Sequence, residues 1–139
     1  MVKLNKPKKR TELNQMSALT SLRTKILDTA YLHDISDGNE EFIQEVLTTF
    51  QEEAKDFQIR IRQHFHQRDF YSLRKASHAM KPTGSYIGVN ALTTLITNLE
   101  KAAPAGDLNL VGNLILEVEK IITVLNADIE TYLSSLKKP

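Results

Sequence analysis

The stretch Leu73-Arg74-Lys75-Ala76-Ser77-His78-Ala79-Met80-Lys81-Pro82-Thr83-Gly84-Ser85-Tyr86-Ile87-Gly88 decides how this chain is read. On a helix, side chains advance about 100° per residue, so Leu73, Ser77, Met80, Gly84 and Ile87 fall within roughly 40° of one line. That line is a narrow stripe of apolar or small residues, suited to a core. His78 lies roughly 140° from Leu73 by the same count, outside the stripe. Arg74, Lys81 and Ser85 stand beside it at spacings of four, three and seven residues. An imidazole facing water with cations one turn away is a poor core residue and a good nucleophile for a phosphoryl group. Imidazole titrates near neutrality, so it offers a free nitrogen lone pair at cellular pH. Attack on phosphorus needs that lone pair, in-line access and positive charge to offset the incoming oxygens. Lys81 supplies a mobile point charge on the same face, and Arg74 is a second candidate helper.

Outward from this stretch the apolar positions keep helical spacing. Asp28 or Thr29 caps a short helix running to about Ile35, with Leu32 and Ile35 inward, and Asp37-Gly38 ends it. Asn39 caps a long helix, with Glu40 and Glu41 at its positive end. Phe42, Val46, Phe50, Ala54, Phe57, Ile61 and Phe65 form its stripe, widened by Ile43 and Leu47, and it stops near Gln67. Asp69 caps the histidine helix, predicted over Phe70 to Ile87, and Gly88 and Asn90 mark its end. Leu92, Leu95, Ile96, Leu99 and Ala103 define the next helix, stopped by Pro104 and Gly106. Asp107 opens the last, with Val111, Leu114, Val118, Ile121, Leu125, Ile129, Tyr132 and Leu136 inward. Short connections between long helices favour antiparallel neighbours. The fold class expected is all-α: an antiparallel up-down four-helix bundle with a short additional N-terminal helix.

At 139 residues, 41% hydrophobic and 25% charged, the chain suits one domain with a single core. No apolar run reaches the length of a membrane span, and the basic start lacks the apolar segment of a secretory signal. The absence of cysteine excludes disulfides and thiolate metal sites and fits a cytoplasmic protein. Net charge is +1, but Lys3, Lys6, Lys8, Lys9 and Arg10 fall in the first ten residues with no acid. Without those five, 13 cations face 17 acids, a body of about −4. Residues 1–15 therefore read as a flexible basic N-terminal tail and 16–139 as the helical domain, with Met16, Leu19, Leu22 and Ile26 suggesting an extra amphipathic segment against the bundle. Such a tail touches nucleic acid or membrane only weakly, and the body lacks the basic surface of a nucleic-acid binder, so neither is expected as a partner.

Other chemistries find no footing. His64 and His66 diverge on a helix and make a poor metal pair, His33 stands alone, and the adjacent Glu52-Glu53 carboxylates point apart. No Gly-rich phosphate loop and no kinase catalytic set is present.

His-x-hydrophobic-Lys (His78, Met80, Lys81), followed by the small residues Gly84 and Ser85 and by Gly88, resembles the histidine-containing phosphotransfer (HPt) domain family of phosphorelays. Tyr31 to Ile43 before it and Leu92 to Gly106 after it, with Leu99-Glu100 and Ala105-Gly106-Asp107, are similar to that family as well. The resemblance covers roughly Asp28 to Leu136. It implies a stoichiometric phosphocarrier, not an enzyme, in which His78 exchanges a phosphoryl group with receiver-domain aspartates. Lys81 would offset phosphoryl charge, with Arg74 helping. Gly84 and Ser85 would keep bulk away so that a partner approaches closely, although Gly84 also falls on the core stripe. Gly88 reads as a helix terminator. The resemblance implies no cofactor of the chain's own, with Mg2+ brought by the partner. It also implies receiver domains or a hybrid sensor histidine kinase as partners. A monomer is expected, and the basic start at Met1 favours a stand-alone carrier.

One departure stands out. Many family members have glycine after the lysine, where this chain has Pro82. Proline cannot donate to the His78 carbonyl and its ring crowds it, so a kink or loosened turn costing about 3 kcal/mol is expected there. Pro82 also keeps open an alternative, a docking module with the same fold that transfers nothing.

Overall fold

The computed structural model describes residues 26–136. The expected basic tail (1–15) and most of the Met16–Ile26 segment lie outside the described residues. Five α-helices follow in order: α1 (Thr29–Ser36), α2 (Glu40–His66), α3 (Phe70–Ile87), α4 (Asn90–Ala102) and α5 (Leu108–Leu136). A single 3-10 turn, Ala103–Ala105, sits between the last two. No strand occurs among the described residues.

Side-chain caps fix most of these limits. Asp28, Asn39 and Asp69 accept from the backbone N–H of Tyr31, Phe42 and Ser72 respectively, which satisfies donors that the first helical turn leaves free. Asp107 accepts from Leu110 N at 3.1 Å in the same way at the start of α5. Each long helix packs on the next, and α2 closes on α5, so the four form a ring around one core with α1 laid against α2. The core runs through Ile43, Leu47, Phe50, Leu73, Ile87, Leu92, Ile96, Val118, Ile122 and Leu125. The Arg62 guanidinium clasps Glu119 with two 2.6 Å bonds, tying α2 to α5 across the surface.

Two expected core residues are out of place. Phe42 is 37% exposed and Ile35 is 41% exposed. A step of four residues advances 400°, so the row Phe42, Val46, Phe50, Ala54 drifts about 40° per step. Phe42 ends about 120° from Ala54, and Ile43 takes the inward place instead. On the two-turn helix α1, Leu32 alone is buried, leaving Ile35 outside.

α3 continues from Phe70 to Ile87 past Pro82, so the proline does not end the helix. Its ring is on the exposed side, where water can satisfy the His78 carbonyl that has lost its donor. Gly88 then ends the helix with φ +78°. A Cβ here would lie 2.5 Å from the Tyr31 ring of α1, so glycine is needed for both backbone and space. Replacing Gly88→Ala is expected to destabilise the domain by about 1–3 kcal/mol, read as a lower urea midpoint.

Asp128 on α5 is buried, and its Oδ2 accepts from Ile26 N at 2.6 Å and Leu27 N at 3.0 Å. This one carboxylate holds the segment entering α1 against the last helix. Asp128→Ala strands two backbone donors and should cost about 2 kcal/mol, with an unchanged denaturant slope.

Candidate functional site

His78 projects from the middle of α3 with its side chain 66% exposed, on the face opposite the buried Leu73, Ser77 and Met80. Ser77 is fully buried but satisfied, its hydroxyl donating to the Leu73 carbonyl at 2.9 Å. The α3–α4 connection is only Gly88-Val89, so the two helices run back along each other. His78 lies ten residues before Gly88, and Glu100 lies ten after Asn90. That register brings them together: His78 Nδ1 is 2.6 Å from Glu100 Oε2. The other oxygen of the same carboxylate accepts from Lys81 Nζ at 2.9 Å.

Glu100 is thus bridged between imidazole and ammonium, with its side chain only 15% exposed. The Lys81 hydrogen bond, and after it that of His78, holds its carboxyl below the usual range against the opposing effect of burial. An ionised carboxylate can only accept, so the proton of the shared bond sits on Nδ1. In neutral His78 the lone pair therefore belongs to Nε2, which has no hydrogen-bond partner among the described residues. One acid fixes the tautomer and ring orientation while leaving the outward nitrogen available.

Arg74 does not join this bridge. Its guanidinium lies 5.6 Å from the centre of the Tyr71 ring, one turn further from His78. Ser85 is exposed two turns beyond His78. Gly84 departs from the expectation of an open approach to a partner. It is buried, and a Cβ there would meet Thr93 Oγ1 at 3.0 Å, so its smallness serves the packing of α3 on α4. Glu100, the group that organises the site, was not recognised from sequence as a functional residue. The nearly equal distance of residues 78 and 100 from the inter-helix turn is the signal that finds it.

A sequence model of the Hpt domain matches residues 45–134, which spans α2 to α5 and most of the chain. The chain belongs to the Hpt domain family. It is a histidine phosphotransfer protein of the phosphorelay type, a class of phosphocarriers that work with receiver domains and kinases. Among solved structures it is similar to histidine-containing phosphotransfer protein B (HptB) from Pseudomonas aeruginosa PAO1. The TM-score is 0.71 at 21% identity, covering 78% of this chain and 95% of that one. At that identity the likeness speaks for the shared helical bundle. No curated protein matches the chain. Among the described residues no helix is long and apolar enough to cross a membrane.

Proposed function

We propose that this Hpt domain carries its phosphoryl group on Nε2 of His78, with Glu100 as the positioning residue and Lys81 as the charge-offsetting one. The supporting observation is the Glu100 bridge, which gives the exposed imidazole a defined tautomer beside a cation. Nε2 attacks the acyl phosphate of a receiver aspartate in line. The N–P bond forms as the P–O bond to the aspartyl carboxylate breaks, and the carboxylate leaves with its electron pair. The imidazole becomes cationic as it bonds to phosphorus, and Glu100 stabilises that charge through Nδ1–H. Lys81, held by Glu100 next to the ring, lies within reach of the equatorial oxygens. Arg74 adds positive charge one turn away, and exposed Ser85 leaves the approach open. Transfer onward to a second aspartate is the reverse of this step.

The chain needs no cofactor or nucleotide site of its own for this exchange. Magnesium on the receiver offsets charge on the leaving carboxylate and the phosphoryl oxygens. The protein works as a monomer in the cytoplasm, with receiver domains or a hybrid sensor kinase as partners. The test is to mix the purified protein with a panel of phosphorylated receiver domains and locate the label. Acid-labile label on His78 is expected. Label on another residue, or none with any receiver, overturns the proposal.

A further inference from the structure

The face of α3 that carries His78 continues beyond the Glu100 bridge. Tyr71 precedes His78 by seven residues, which puts it two turns away, within about 20° of the same line and about 10 Å along the axis. Tyr71 is 65% exposed, and two cations lie over its ring: Arg74 Cζ is 5.6 Å from the ring centre and Lys75 Nζ 5.1 Å from it. Neither cation makes an ion pair among the described residues. The acid-rich body thus leaves two positive charges uncompensated beside an ordered, exposed aromatic, next to the phosphoacceptor. The flank of α3 that faces α2, beyond Lys75, is of the other sign. A groove of about 310 Å³ between α2 and α3 runs past Ala79 and Thr83 and is lined by Glu52, Glu53 and Asp56. Among the described residues Arg60 alone makes an ion pair with these acids, at 2.9 Å from Asp56.

We propose that Tyr71, with Arg74 and Lys75 stacked on it, is the anchor that docks the acidic rim of a receiver domain and sets which receivers this protein serves. The inference rests on the assignment of His78 as phosphoacceptor. A receiver aspartate that exchanges phosphate with the help of magnesium is surrounded by the carboxylates that hold that ion. Such a rim is complementary to the Tyr71–Arg74–Lys75 face and is repelled by the Glu52–Glu53–Asp56 flank. The charge reversal across α3 therefore selects one docking orientation as well as a class of partner. A rigid aromatic paired with arginine is also the composition that dominates binding energy where proteins meet.

The experiment compares two phosphoryl donors on the full chain: phosphoramidate, a small molecule that needs no docking, and receiver domains from which the wild-type protein takes phosphate. The readout is the ratio of receiver-dependent to phosphoramidate-dependent labelling of His78. Tyr71→Ala should lower that ratio at least 10-fold, and Tyr71→Phe, which keeps the ring, should stay within about 3-fold of wild type. Lys75→Glu should lower it as well and flatten its dependence on salt. Ratios within 2-fold of wild type for both Tyr71→Ala and Lys75→Glu would overturn the proposal. So would equal slowing with both donors, because the effect would then lie at His78 itself. Failure of the wild-type protein to take label from either donor would instead refute the His78 assignment.

Discussion

The variant His78→Gln is expected to take no phosphoryl label from any receiver that labels the wild-type protein, while folding and melting as the wild type does. The two parts of that expectation have separate causes. Glutamine has no nucleophilic nitrogen, since its amide lone pair is delocalised into the carbonyl, so the attacking atom is lost. The side chain is exposed in the native fold, so no buried packing goes with it. Glutamine can still donate to Glu100, and the Lys81–Glu100 contact across α3 and α4 does not depend on the ring. The loss should therefore be chemical, with transfer at background and a urea midpoint shifted by less than about 0.5 kcal/mol in stability. Label that persists in this variant would mean that another side chain carries the phosphate. The docking-only alternative drew its force from Pro82, but α3 runs through that residue unbroken and His78 keeps its place outside the core.

What was readable in the sequence, and what was not, divides along physical lines. Helix limits depend on local chemistry, namely a capping carboxylate or amide at Asp28, Asn39, Asp69 and Asp107 and a left-handed glycine at Gly88 and Gly106. These were legible because each acts within a few residues. The outward position of His78 was legible for the same reason, since one helix with a clear stripe fixes its own faces. Burial in α5 was only half legible. Ile115, Ile122 and Val124 are buried beyond the narrow stripe because this helix is covered by both α2 and α4, and the width of a covered face is a tertiary property. Asp128 was illegible. A charged residue reads as solvent-facing until the chain 101 and 102 residues earlier returns to donate two backbone hydrogens to it. Glu100 lies between these cases. Its identity and the hairpin register were both in the sequence, but a carboxylate on a helix becomes informative only once the partner opposite it is known.

Replacing Glu100→Ala should slow receiver-dependent transfer by about 10- to 100-fold, the range seen when the group that orients a metal-bound imidazole is removed from behind it. Without the acceptor the ring rotates and carries its proton on either nitrogen, so fewer molecules present a lone pair at Nε2. The cation that forms on phosphorylation also loses its counter-charge. A purely structural role for Glu100 would lower stability without altering the ring, so the deciding readout is the nitrogen NMR signature of the His78 tautomer. Wild type should show Nδ1 protonated and the alanine variant a mixture. Glu100→Gln should fall between, because its amide oxygen can still accept from Nδ1 but brings no charge. An unchanged tautomer together with an unchanged rate would remove Glu100 from the mechanism. The pH dependence has a definite sign. Lys81 and His78 hold the Glu100 carboxyl below its ordinary value of 4.5 in the folded protein. The bridge therefore contributes fully above that ordinary value and is lost as pH falls through the lowered one. The tautomer should accordingly stay fixed by Glu100 wherever the imidazole is neutral. Transfer should therefore lose the help of this carboxylate only in acid, below its ordinary value.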